Sequence, residues 1–282
     1  MGMGISKRDQ EVLEALAAAR REHPELADLL DFYLEIYKVQ FNAKADLAQV
    51  EVRDDLAMRW RLEGGIPQLT FDQLDLEQDT FAGLVHELAD VLLRHNPSWT
   101  IDWEEWTPER LLGQAQEIFE TWDTLTAPDG ESEERGEGEP GRADTATLAA
   151  GFALAPYLQR AAETILPYLD LAPWSRGYCP VCGGRPNLAL LEEKRGARIL
   201  MCSRCASQWP YSRVKCPFCQ STAKQNYYRS DDGLYRLYVC PDCQRYLKTV
   251  DLREVHRQVY PMVERLLTVG MDLAAQQEGY RG

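Results

Sequence analysis

The sequence predicts an α+β chain: a mostly helical N-terminal part, then two tandem tetrathiolate modules of short β-strands, then a C-terminal helix. Three observations carry this. All eight cysteines fall in four Cys-x-x-Cys pairs, Cys179/Cys182, Cys202/Cys205, Cys216/Cys219 and Cys240/Cys243. Upstream of them, apolar residues recur at helical spacing with few strand signals. Between the pairs, short β-prone runs flank Gly-containing turns.

The pairs read as a metal framework. Two cysteines separated by two residues can bring both sulfurs to one ion, and a second pair completes a tetrahedron of thiolates. Nineteen residues separate Cys182 from Cys202 and twenty separate Cys219 from Cys240, both at ribbon spacing. The second set begins thirty-seven residues after the first, so the region is an internal repeat and implies two ions. Sequential pairing is expected, with Cys179, Cys182, Cys202 and Cys205 on one ion and Cys216, Cys219, Cys240 and Cys243 on the other. Each hairpin then closes locally. Gly183 suits a tight turn aiming backbone N–H groups at the thiolates. Leu188 to Glu192 with Arg198 to Met201 form one expected hairpin, and Asn226 to Arg229 with Leu234 to Val239 the other.

Competing readings are weaker. Disulfides need an oxidising compartment, yet the charged N-terminus around Lys7, Arg8, Asp9 and Glu11 lacks the apolar core of a signal peptide, and the expected location is cytoplasmic. A redox dithiol uses one such pair on a βαβ unit. A purely structural metal role is the strongest alternative, because a closed tetrathiolate has no open coordination position.

Charge separates the two regions. Residues 1–170 carry 14 basic and 35 acidic side chains, a net of −21, whereas residues 171–282 carry 17 and 10, a net of +7. Eight thiolates on two divalent ions would remove about four units from that positive half. The remaining basicity is slight for a nucleic-acid ribbon, and the acidic half would repel phosphate, so no nucleic-acid partner is expected. The most apolar stretch, Leu148 to Ala155, is too short to span a bilayer, so no membrane insertion is expected either.

The helical part can be read in order. Ser6 caps a first helix with Asp9 three residues on, followed by Leu13 and Leu16. A second begins near Pro24 and presents Leu26, Leu30, Tyr33 and Tyr37, and a third is expected from Leu47 to Trp60. Gly64-Gly65-Ile66-Pro67 breaks the chain. Further helices run through Phe81, Val85 and Leu92, and from Thr107-Pro108 through Leu111, Ala115 and Ile118. Residues 127–144 are Gly-, Glu- and Pro-rich and are expected to form a mobile acidic loop. Helix resumes from Ala146 to about Tyr168, broken or kinked at Pro156 and Pro167, and a last helix is expected from about Leu252, kinked at Pro261, to before Gly279. The expected domains are a helical domain at 1–170, ribbons at 171–250 and the C-terminal helix at 251–282.

No catalytic constellation emerges: the sequence has no P-loop, dinucleotide fingerprint, Gly-x-Ser-x-Gly elbow or His-Glu-x-x-His. His86 and Asp90 share a helix face but read as surface residues, and Trp99, Trp103 and Trp106 as core or contact residues. The chain is therefore not expected to be an enzyme.

Around the cysteines the chain resembles the FdhE family of formate dehydrogenase accessory proteins. The resemblance rests on Arg176-Gly177-Tyr178 before the first pair, Pro186, Leu200 to Cys205, Trp209, Arg213-Val214-Lys215 before Cys216, Tyr246-Leu247-Lys248, Asp272, and Gln277 to Arg281. It covers roughly residues 174–281, with Gly65-Ile66-Pro67 also similar. Tyr260-Pro261-Met262 departs from it, where a more acidic, unbroken helix is expected. The resemblance implies two rubredoxin-like four-cysteine modules binding Fe or Zn, and a maturation role toward the catalytic subunit of a molybdenum- or tungsten-dependent formate dehydrogenase. The charge split points to Arg213, Lys215 and Arg245 as partner-binding residues. A nucleic-acid zinc ribbon and a rubredoxin-like electron carrier remain alternatives, and the native metal and formation of a homo-oligomer stay open.

Overall fold

Helix α1 (Lys7–Glu22) starts where Ser6 predicts: the Ser6 hydroxyl accepts from the Asp9 N–H at 3.2 Å and donates to its carboxylate at 2.7 Å. This computed structural model describes residues 4–125, 144–223 and 226–282. A 3-10 turn at Pro24–Leu26 leads into α2 (Ala27–Asp46). The third helix does not begin at Leu47. It is α3 (Asp55–Gly64), because Asp54 caps it by accepting from the Ala57 N–H at 2.9 Å, and Gly65 ends it at φ 71°. Helices α4 (Gln78–His95), α5 (Pro108–Leu125) and α6 (Thr145–Ile165) follow. The expected acidic loop at 127–144 lies outside the described residues except Asp144, which caps α6.

Helix α6 is the hub, packed against α2, α4 and α5. Ala146, Ala149, Ala150, Ala153, Ala161 and Ala162 are all buried, and their small side chains let the neighbouring helices approach closely. Of the two outcomes expected at Pro156, a break or a kink, a break is excluded, since α6 continues through it. Proline has no N–H for the carbonyl four residues back, which belongs to Phe152. The side-chain amide of buried Gln40, on α2, donates to that carbonyl at 2.8 Å and completes the helix from outside. Gln40→Leu is expected to leave the carbonyl unpaired and destabilise the protein by about 1–3 kcal/mol, measured by urea unfolding.

The cysteine region forms one six-stranded sheet in the order β3-β2-β1-β6-β5-β4. Its strands are β1 (Pro186–Leu191), β2 (Arg198–Cys202), β3 (Gln208–Tyr211), β4 (Asn226–Arg229), β5 (Tyr235–Val239) and β6 (Tyr246–Asp251). Both expected hairpins are present, and each gains a third strand, giving two antiparallel three-stranded halves. The halves join through parallel pairing of β1 with β6, in register from Leu188 with Lys248 to Leu191 with Asp251. Asp251 is fully buried at this seam, bonded to Arg236 at 2.5 Å and to Arg253 at 2.7 Å. The Arg253 hydrogen bond, more than the charge of Arg236, holds its carboxyl down at about 2.

The last helix does not run from Leu252. Two short helices, α7 (Pro261–Leu267) and α8 (Val269–Gln277), meet at Thr268, with Pro261 in the first turn of α7, where its missing N–H costs nothing. They fasten the sheet to the helices. On α8, Asp272 accepts from the Lys248 ammonium at 2.6 Å and the Tyr246 hydroxyl at 2.8 Å, so these two β6 residues are buried with their polar groups satisfied. On α7, Arg265 donates to the Tyr37 hydroxyl of α2 at 2.6 Å and to the Ser203 carbonyl at 3.5 Å.

Candidate metal centres

Each Cys-x-x-Cys pair sits in the same backbone turn. The N–H of the first cysteine donates to the carbonyl five residues on: Cys179 to Gly184, Cys202 to Ser207 and Cys240 to Arg245 at 2.9 Å, and Cys216 to Ser221 at 2.8 Å. Closing so tight a turn drives the residue four after the first cysteine to positive φ: Gly183 at 77°, Ala206 at 56°, Gln220 at 62° and Gln244 at 54°. Only the first of these is the glycine that the sequence makes legible; three ordinary residues accept the same strained conformation.

The turns bring the cysteines together in two sets, Cys179, Cys182, Cys202 and Cys205, and Cys216, Cys219, Cys240 and Cys243, as sequential pairing predicts. All eight are free of disulfides. In the first set Cys179 and Cys205 lie 3.6 Å apart, Cys182 and Cys202 3.5 Å, and Cys182 and Cys205 3.4 Å. In the second, Cys216 and Cys243, and Cys219 and Cys240, are each 3.7 Å apart. A tetrahedral ion with metal–sulfur bonds near 2.3 Å needs sulfurs about 3.8 Å apart, so both sets fit one four-coordinate ion. Each set supplies the four thiolates that a tetrahedral ion takes.

Protonation shows what an ion would change. Burial pushes the thiols of Cys179 and Cys202 well above their ordinary value. Cys182 is held well below it by hydrogen bonds from the other three sulfurs and by the nearby charge of Arg204. In the second set burial pushes Cys216 up and Cys243 to about 11. An ion replaces those protons, so binding is expected to release them.

The surroundings of the two sets differ. The first lies in the main apolar core with the helices. The N–H groups of Gln68 and Leu69 each donate at 2.9 Å to the carbonyls of Pro180 and Val181, laying the segment after Gly65-Ile66-Pro67 along the first turn. Arg204, itself buried, reaches the carbonyls of Phe119 and Cys182 at 3.3 Å. The sequence did not reveal these clamps, although the Gly65-Ile66-Pro67 break marked one of them. The second set sits at the far half of the sheet, where Cys219 is exposed and Cys243 half-buried. Beside it, buried Arg198 donates to the Lys215 carbonyl at 3.1 Å and lies over the Tyr238 ring at 4.8 Å.

Arg213, Lys215 and Arg245 all fall around the second set. Arg213 and Lys215 are exposed on the connector leading to Cys216, and Arg213 reaches the Gly196 carbonyl at 3.5 Å. Arg245 follows Cys243 and lies 5.5 Å over the Phe218 ring. His86 and Asp90 belong to neither candidate metal group; the His86 ring instead lies on Trp103 at a centroid distance of 3.9 Å. Trp106 is buried, and Trp99 and Trp103 pack on the core.

Comparison with known proteins follows the same division. Residues 178–213 match the central domain of FdhE and residues 214–282 its C-terminal domain, the two meeting in the connector between the halves of the sheet. An FdhE homolog of Aquifex aeolicus (strain VF5) is 26% identical over 99% of this chain and 95% of its own. Protein FdhE of Escherichia coli O127:H6 is 34% identical over 109 residues, 37% of this chain and 35% of the relative's length. The crystal structure of the FdhE protein from Pseudomonas aeruginosa shares the fold, with a TM-score of 0.59 and 22% identity over 97% of this chain and 91% of that one. Matched turns, matched halves and an end-to-end relative agree: residues 178–282 match the central and C-terminal domains of FdhE, and the chain is similar to an FdhE homolog along nearly its whole length.

Proposed function

We propose that this chain is a cytoplasmic, non-catalytic accessory protein that binds the catalytic subunit of a molybdenum- or tungsten-dependent formate dehydrogenase and promotes its maturation, with one Fe or Zn ion in each four-cysteine set. The match of both cysteine modules to FdhE domains carries this reading. Two further observations support it. The cysteine sets offer only closed tetrathiolate geometry, and among the described residues no helix is long and apolar enough to cross a membrane. The helical domain (1–170) and the C-terminal segment (251–282) brace the ribbons (171–250), whose basic residues Arg213, Lys215 and Arg245 face the client. A basic face beside an acidic domain orients a partner and speeds encounter.

The test is a pull-down of the tagged protein from its own host grown anaerobically on formate, with mass spectrometry of the bound proteins. A formate dehydrogenase catalytic subunit is the expected partner. Reversing Arg213, Lys215 and Arg245 to Glu is expected to cut its recovery about tenfold or more, through slower association. Undiminished recovery with that variant would place the client surface elsewhere, and recovery of nucleic acid instead of the subunit would refute the reading.

A further inference from the structure

The two sets have the same four donors in the same turns, yet one is far more exposed to solvent than the other. Cys179, Cys182, Cys202 and Cys205 are 0%, 5%, 0% and 3% exposed. The first turn is closed over by Pro67, whose Cγ lies 3.3 Å from where a side chain on Gly183 would begin, and by the backbone of Gln68 and Leu69. In the second set Cys216 and Cys240 face inward, at 1% and 3% exposure. Cys219 is exposed, as are its neighbours Gln220, Pro241, Asp242 and Gln244.

Exchange at a four-coordinate thiolate site proceeds when an incoming thiolate reaches the ion before a resident one leaves, which needs an open face and a leaving sulfur that solvent can protonate. From this asymmetry we infer that the second set is an exchangeable metal centre, giving its ion to and taking it from thiol-bearing acceptors through Cys219, whereas the first holds its ion permanently. In the first step the acceptor sulfur bonds to the ion, the bond from the ion to Cys219 breaks, and the proton lost by the acceptor thiol is taken up by the Cys219 sulfur. No electron moves. Cys243, half-buried, is next to leave, and Cys216 and Cys240 leave last. This inference rests on the reading that each set holds one ion.

The test uses the full chain loaded with zinc and assayed for metal content before use. Mixed with excess chromophoric chelator and reduced glutathione, it is expected to release one ion per chain in a fast phase whose rate rises with glutathione concentration. The second ion should leave at least about 100-fold more slowly, because its release waits on opening of the core. Cys219→Ser should abolish the fast phase and keep the slow one, which also reports that the variant has folded; Cys243→Ser should do the same. Release of both ions in one phase, a fast phase independent of glutathione, or a fast phase that survives both substitutions would overturn the exchange role. Failure of the chain to load any zinc would instead overturn the underlying reading that the sets hold ions.

Discussion

Gly177→Ala is expected to lower the melting temperature by more than about 10 °C and to leave the second cysteine set unable to fill, because a side chain at this position has nowhere to go. A Cβ on Gly177 would fall 1.7 Å from the Pro217 carbonyl oxygen, 2.6 Å from its carbon and 2.8 Å from its Cα. These are backbone atoms of the third cysteine turn, so no rotamer change relieves the overlap, and the segment before the first set must part from the segment entering the second. Gly83→Ala is the matched control. It lies in α4 with no heavy atom within 4 Å of its Cβ position, so the same added methyl is expected to stabilise the helix by about 0.5–1 kcal/mol. Melting curves and metal content of both variants check the pair. Equal melting temperatures would show that the two halves are not held together at Gly177.

Cys202→Ser carries the second large effect. Cys202 is fully buried and belongs to the same core as Leu16, Phe81 and Leu154, so losing its ion removes support from the helices as well as from β2. A structural tetrathiolate ion contributes on the order of 10 kcal/mol to folding, comparable to the whole stability of a domain. Loss of cooperative unfolding by far-ultraviolet circular dichroism, with metal content below one ion per chain, is the expected outcome. A cooperatively folded variant would show that the buried set does not depend on an ion.

The sequence made the site more legible than its setting. Sequential pairing could be read because both cysteines of a turn, and both turns of a hairpin, are close along the chain. β1, β2, β4 and β5 could be read because β-prone residues flank Gly196 and Gly233, both at positive φ. β3 was hidden by its four-residue length and Pro210, and β6 by Lys248 and Asp251, which look like surface residues until Asp272, Arg236 and Arg253 are seen to partner them. Pairing of β1 with β6 joins residues some sixty positions apart, beyond the reach of any local pattern. Whether α6 would break at Pro156 was unreadable for the same reason: the donor to the Phe152 carbonyl lies on α2, in Gln40. The contrast between a sealed and an open set was likewise unreadable, because the residues after Gly65-Ile66-Pro67 cover the first turn across more than a hundred positions.

The most direct test of two mononuclear tetrathiolate centres is native mass spectrometry of the chain purified without oxygen or chelator. The account predicts a mass exceeding the fully reduced chain by two ions less the protons they displace, falling by one ion in Cys219→Ser. A chain carrying no ion, or one shortened in mass by the hydrogens lost to disulfides between the paired cysteines, would contradict it.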